Sequence, residues 1–172
     1  DRAGAGGGDA GTGSFWGKTG QGGRVEGTES VNGKALLERL ARLSPGGMQV
    51  YASSCLRRYC DANGFSHAAI DALLAHLDSI AVAGSLPEWE CSGALLELNG
   101  RGDPVPAGIE SALPEGELQR FMTLVEAVVE VGIVDLYGTR TDQPLAFLRK
   151  TIAVLEPAET TLSPVTISSG GL

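Results

Sequence analysis

The stretch from Glu117 to Tyr137 constrains the fold more than any other part of this sequence. Its apolar residues recur every three or four positions and form one stripe of a helix: Leu118, Phe121, Met122, Val125, Val128, Val129 and Gly132. More apolar residues flank the stripe, so the polar ones are confined to a narrow strip that includes Glu126 and Glu130. A helix that is apolar on most sides must be enclosed by other elements. We predict a central hydrophobic helix over about 117–137.

Five further segments show helical spacing and end at glycine or proline. They lie at about 34–43, 48–63, 66–82, 85–98 and 142–156. Ser66 and Ser85 are the predicted N-caps of the third and fourth segments, and a short helical turn is expected at 107–112. The pattern predicts an all-α protein, a compact bundle of five to six helices over residues 32–157.

The two ends of the chain have a different composition. Residues 1–33 hold 12 of the 25 glycines, and residues 158–172 are rich in Ser and Thr. Such segments bury too little apolar surface to offset the entropy of ordering, so we predict a disordered leader over 1–31 and a disordered tail over 158–172. The leader contains GxGxxG at Gly6, Gly8 and Gly11 and a Gly17-Lys18-Thr19 run. Neither has the strand before it and the helix after it that a nucleotide site needs, so nucleotide binding is the least favoured hypothesis.

The charge balance limits the classes of partner. The chain has 21 acidic and 13 basic residues, a net charge of −8, which repels phosphate backbones and attracts basic partners. No apolar run approaches the roughly 20 residues of a membrane span. We predict binding to neither nucleic acid nor membrane, and the oligomeric state stays open. Cys55, Cys60 and Cys91 lack metal-site spacing and are interpreted as buried thiols, which favours the reducing cytoplasm.

Catalytic patterns are scarce in this sequence. It has no GxSxG, no HExxH and no cysteine with a histidine at a meaningful spacing. Two acidic helix faces are the candidates for metal binding or acid–base chemistry: the Glu126 and Glu130 pair, and a face with His67, Asp71 and Asp78. Solvated surface is the favoured interpretation of both, and we predict no cofactor.

The longest internal break, residues 99–116, has four glycines and three prolines and is a candidate contact surface. Within it, the Arg101-Gly102-Asp103 triplet is interpreted as a turn before Pro104. Trp89 is either a core residue or an exposed anchor at a rim. The residues predicted to contact a partner are Trp89, Glu88, Glu90, Arg101 and Asp103.

These features favour a non-enzymatic protein–protein interaction module that binds a basic partner. The chain is compatible with small acidic helical proteins that neutralise secreted toxins, so an immunity or adaptor type is expected. The alternative is a small enzyme or metal-binding helical domain that uses one of the acidic helix faces.

Overall fold

A computed structural model describes residues 27–156, with side chains from residue 33 onward. This part of the chain forms seven α-helices and contains no strand, which confirms the all-α class. The helices are α1 (Gly27–Leu40), α2 (Pro45–Ala62), α3 (Ala68–Asp78), α4 (Leu86–Ala94), α5 (Ala107–Ala112), α6 (Glu115–Ile133) and α7 (Gln143–Leu155), with a 3₁₀ turn at Ser79–Val82 after α3. The predicted tail and the leader before Gly27 lie outside the described residues.

The predicted central helix is α6, and its apolar stripe forms the core. Five of its side chains are fully enclosed, with no exposed surface: Phe121, Leu124, Val125, Ala127 and Val128. The helix packs mainly against α7 and α2, and α5 lies against it as well. It ends at Ile133 rather than at Tyr137, and Tyr137 follows in a turn.

A second centre, which the sequence pattern did not single out, is α2. It packs against α3, α6 and α7, so the helices are arranged around a pair rather than around α6 alone. Aromatic rings join this pair: Tyr59 of α2 lies 6.1 Å from Phe121 of α6 between ring centroids, and Phe65 meets Phe121 edge-on at 5.6 Å. The hydroxyl of Tyr59 donates to Glu117 at 3.0 Å at the rim of this contact.

Several helix boundaries differ from those predicted. The first helix begins at Gly27, before the predicted start near Lys34. The N-cap of α3 is His67 and not Ser66, because the extended backbone of His67 lets its Nδ1 accept the amide of Ala69 at 3.1 Å. Helix α4 has the predicted Ser85 cap but ends at Ala94, and α5 spans the predicted 107–112.

The outer surface carries a few large apolar side chains. The most exposed are Leu95 at 87%, Val82 at 85% and Tyr137 at 72%. Across residues 27–156, every helix is too short or too polar to traverse a bilayer.

Candidate partner-binding surface

Trp89, the predicted anchor on α4, lies beneath the surface with 7% of its area exposed. Its indole stacks on the imidazole of His76, with ring centroids 4.6 Å apart and planes 12° from parallel. The indole Nε1 donates to the carbonyl of His76 at 2.9 Å and to the hydroxyl of Ser79 at 3.2 Å. A Cβ at Gly93 would lie 2.5 Å from His76 Nε2, so only glycine leaves room for the stack. Of the two alternatives for Trp89, the structure supports the core residue and not the exposed anchor. The side chain lies beneath the outer face of α4 and supports it.

Burial changes the chemistry of the ring beneath that surface. Desolvation is the main cause that lowers the pKa of His76, and the nearby positive charge of Arg101 lowers it further. The imidazole is consequently neutral near pH 7, which suits its stacked position against the indole.

The surface itself is organised by an ion pair between α4 and the following loop. Arg101 binds Glu90 at two points: Nη1 contacts the carboxylate Oε1, and Nη2 donates to the backbone carbonyl at 3.2 Å. The other carboxylate oxygen accepts from the hydroxyl of Tyr137 at 3.2 Å. We call Glu90, Arg101 and Tyr137 the α4 cluster. The two charged side chains are only 17% and 24% exposed, whereas the ring of Tyr137 projects outward.

The electrostatics of the α4 cluster follow from these contacts. The hydrogen bond from Arg101 is the main reason that the pKa of Glu90 is lowered. Desolvation of the hydroxyl and the hydrogen bond to Glu90 raise the pKa of Tyr137. At neutral pH Glu90 is thus ionised, and both of its carboxylate oxygens accept hydrogen bonds, one from Arg101 and one from the exposed phenol of Tyr137.

The turn that carries Arg101 is built on the side chain of Asn99. The Nδ2 of Asn99 donates to the carbonyl of Ala94 at 3.2 Å and to the carboxylate of Asp103 at 2.5 Å. Its Oδ1 accepts the amide of Arg101 at 3.0 Å. One buried amide therefore joins the end of α4 to both charged residues of the triplet, which confirms the interpretation of the triplet as a turn.

Two glycines of this turn adopt left-handed backbone angles, with φ of +64° at Gly100 and +90° at Gly102. At Gly100 the space is also closed, since a Cβ there would lie 2.9 Å from Cγ2 of Val129 and 3.1 Å from Cγ1 of Val125. The turn therefore rests directly on the central helix α6.

The structure brings together only part of the predicted contact set. Glu90 and Arg101 are bonded to each other, and Asp103 joins them through Asn99. Glu88 is exposed and takes no part in these contacts. It is the acidic residue of the first turn of α4. Sequence reasoning missed Tyr137, which it assigned to the end of the hydrophobic helix. An aromatic residue next to Gly138, just past the stripe, was the available signal.

The two acidic helix faces considered as alternative sites do not form a common site, because their residues make separate contacts. His67 caps α3 and its ring lies against Gly108 of α5, while Asp78 forms an ion pair with Arg57 at 3.0 Å. On α6, Glu126 is exposed and Glu130 is half-buried. Within residues 27–156, no three side chains of the His, Cys, Asp and Glu types converge on a common metal position.

Negative charge is concentrated in one part of the chain. From Asp61 to Glu117 there are ten acidic residues and a single basic one, Arg101, which Glu90 already engages. We call residues 61–117 the acidic segment; it spans α3, α4, α5 and the start of α6. Its most exposed acids are Asp61, Asp71, Glu88, Glu97, Asp103, Glu110 and Glu115. The net charge alone did not reveal this segregation, because the basic residues lie mostly towards the two ends of the chain.

Comparison with protein-family models, curated proteins and solved structures finds no match.

Proposed function

We propose that this protein is a non-enzymatic interaction module, of immunity or adaptor type, that binds a basic protein partner through its acidic segment. The observation that carries the proposal is the imbalance within residues 61–117, which hold ten acids and one arginine. Arginines pair with three of these acids, Asp78, Glu90 and Glu117, and the other seven are exposed. Such a surface attracts cationic partners over a distance and repels anionic ones.

The α4 cluster supplies a fixed contact point within this field. Tyr137 is 72% exposed, yet its hydroxyl is held by Glu90, so little side-chain entropy remains to be lost when a partner covers it. Aromatic residues presented in this way are common at protein interfaces. Exposed acids at Glu88 and Asp103 lie on the same helix and turn as the cluster and would meet basic side chains of the partner.

Affinity capture with matched variants tests the proposal. Glu88→Lys combined with Glu97→Lys reverses two exposed charges of the acidic segment, while Glu38→Lys combined with Asp142→Lys makes the same net change outside it. A basic protein captured by the wild type should bind the first variant at least about tenfold more weakly and the second nearly normally. Its association rate should fall as ionic strength rises. Equal losses in both variants, or an association rate that ignores salt, would contradict the proposal.

A further inference from the structure

An open groove of about 840 Å³ lies between α5 and the first half of α6, at the C-terminal end of the acidic segment. Its apolar wall consists of four half-buried side chains, Val105, Leu113, Leu118 and Met122. The volume falls within the range of about 300–1,000 Å³ that is typical of ligand sites, so it can take more than one side chain.

The groove exists because α5 is attached to the core at one point. This short helix is bracketed by Pro106 and Pro114, and Ile109 is its only fully buried residue. After α5 the chain extends through Leu113, with φ −111° and ψ 138°, before α6 begins. Both Leu113 and Val105 are therefore left beside the core rather than inside it.

The rim of the groove is negative. Glu110 of α5 and Glu115 of α6 line it, and both side chains are exposed. On α6, Glu115, Leu118 and Met122 are spaced three and four residues apart, so acid and apolar side chains follow one another along the same helix face. The groove therefore offers a ligand both an apolar wall and a rim of carboxylates.

We propose that this groove receives the apolar face of a lysine- or arginine-rich amphipathic helix of the partner. The inference rests on the proposed function, because it takes the partner to be basic, and it adds the element that binds and the place where it binds. Leucine-like side chains of that helix pack between α5 and α6, and its flanking basic residues meet Glu110 and Glu115. Charge complementarity selects this occupant over a second copy of the chain, since a copy with a net charge of −8 would bring acids to an acidic rim.

The two methionines of the chain make the test sharp. Met122 lines the groove, whereas Met48 of α2 is only 7% exposed in the core. In protein with ¹³C-labelled methionine methyl groups, Met122 reports on the groove and Met48 reports on the fold. The probes are a helix-forming peptide of about 14 residues made of leucine and lysine, and a companion in which every leucine is replaced by glutamine.

The expected result is a shift of the Met122 methyl signal with the leucine–lysine peptide only, while the Met48 signal stays in place. Glu110→Lys combined with Glu115→Lys should weaken this binding severalfold, and Glu38→Lys combined with Asp142→Lys, which reverses two exposed charges outside the groove lining, should leave it nearly unchanged. Leu113→Gln, which removes part of the apolar wall, should weaken it about tenfold.

The outcomes separate the two proposals. Equal binding of both peptides without a shift of Met122 overturns the groove assignment and leaves the binding of a basic partner intact. A Met122 shift that survives the charge reversal at Glu110 and Glu115 overturns the basic occupant. Failure of both peptides to bind overturns the groove assignment and also counts against the proposed function.

Discussion

Gly132 of α6 lies against the side-chain oxygen of Gln49 of α2, a residue with no exposed surface. The amide nitrogen of the same side chain donates to the carbonyl of Val128, one turn earlier on α6, at 3.0 Å. A Cβ at Gly132 would collide with Gln49 Oε1 and would lie 3.2 Å from Cη2 of Trp89. The central pair of helices and the tryptophan that supports the α4 surface therefore meet at one glycine.

Gly132→Ala is expected to destabilise the protein, although alanine favours helix by about 1 kcal/mol over glycine. The collision with Gln49 and Trp89 should outweigh that gain and lower the free energy of unfolding by about 1–3 kcal/mol in urea titrations. Gly116→Ala is the matched control on the same helix, because nothing lies within 4 Å of a Cβ there. A Gly132→Ala protein as stable as the control would contradict the packing described at this position.

Val125→Asp should unfold the protein or cost several kcal/mol. Val125 has no exposed surface, and an aspartate there would place a charge in the centre of the core. Its neighbour Glu126 is exposed, so Glu126→Ala should change the free energy of unfolding by less than about 0.5 kcal/mol. Thermal melts of the two variants measure this contrast, and similar melting temperatures would refute the central position of α6.

Glu90→Gln should make stability less dependent on acid pH. Because Arg101 lowers the pKa of Glu90 below its ordinary value of 4.5, the folded state favours the ionised form. The resulting stabilisation is fully present above pH 4.5 and is lost as the pH falls through the lowered pKa. Wild type and variant should therefore differ most near neutral pH and converge in acid. Adding Arg101→Gln to Glu90→Gln should have little further effect on this pH dependence, because both changes remove the same ion pair.

The three cysteines should react at very different rates. Cys91 is exposed, so its interpretation as a buried thiol was wrong, whereas Cys55 and Cys60 are buried as predicted. Desolvation raises the pKa of Cys60 to about 11. Since the thiolate is the reactive form, a disulfide reagent at pH 8 should modify one thiol rapidly and the others only as the protein opens. Cys91→Ser should abolish the rapid phase. Two rapid equivalents in the wild type would show that the α2 thiols are accessible.

The helical class and the central helix could be predicted because a stripe such as Phe121, Val125 and Val128 depends only on local periodicity. The turn at Arg101 and Asp103 was also predictable, since glycine and proline specify local backbone geometry. The role of α2 as a second centre was not, because its interior includes Gln49 and Ser53, polar residues that a hydrophobic pattern treats as surface.

The arrangement of the α4 surface depended on contacts between distant parts of the chain. Glu90 and Tyr137 are 47 residues apart, and no local pattern shows that their side chains are bonded. The burial of Trp89 is similar, since it depends on the stack with His76 and on the space left at Gly93. The groove beside α5 likewise depends on how this short helix packs on the core through Ile109. The spacing of residues along the sequence does not reveal that packing.

The seating of Gly100 on Val125 and Val129 affects how mutational data on this protein should be interpreted. A bulkier residue at any of these three positions would push the turn away from the helix and displace Arg101 together with the phenol that it helps to hold. A genetic screen for lost binding will therefore recover interior positions that no partner touches. Substitutions at Gly100 or Val129 would act by displacing the proposed binding surface, and only substitutions that leave the melting temperature unchanged would identify residues that contact a partner directly.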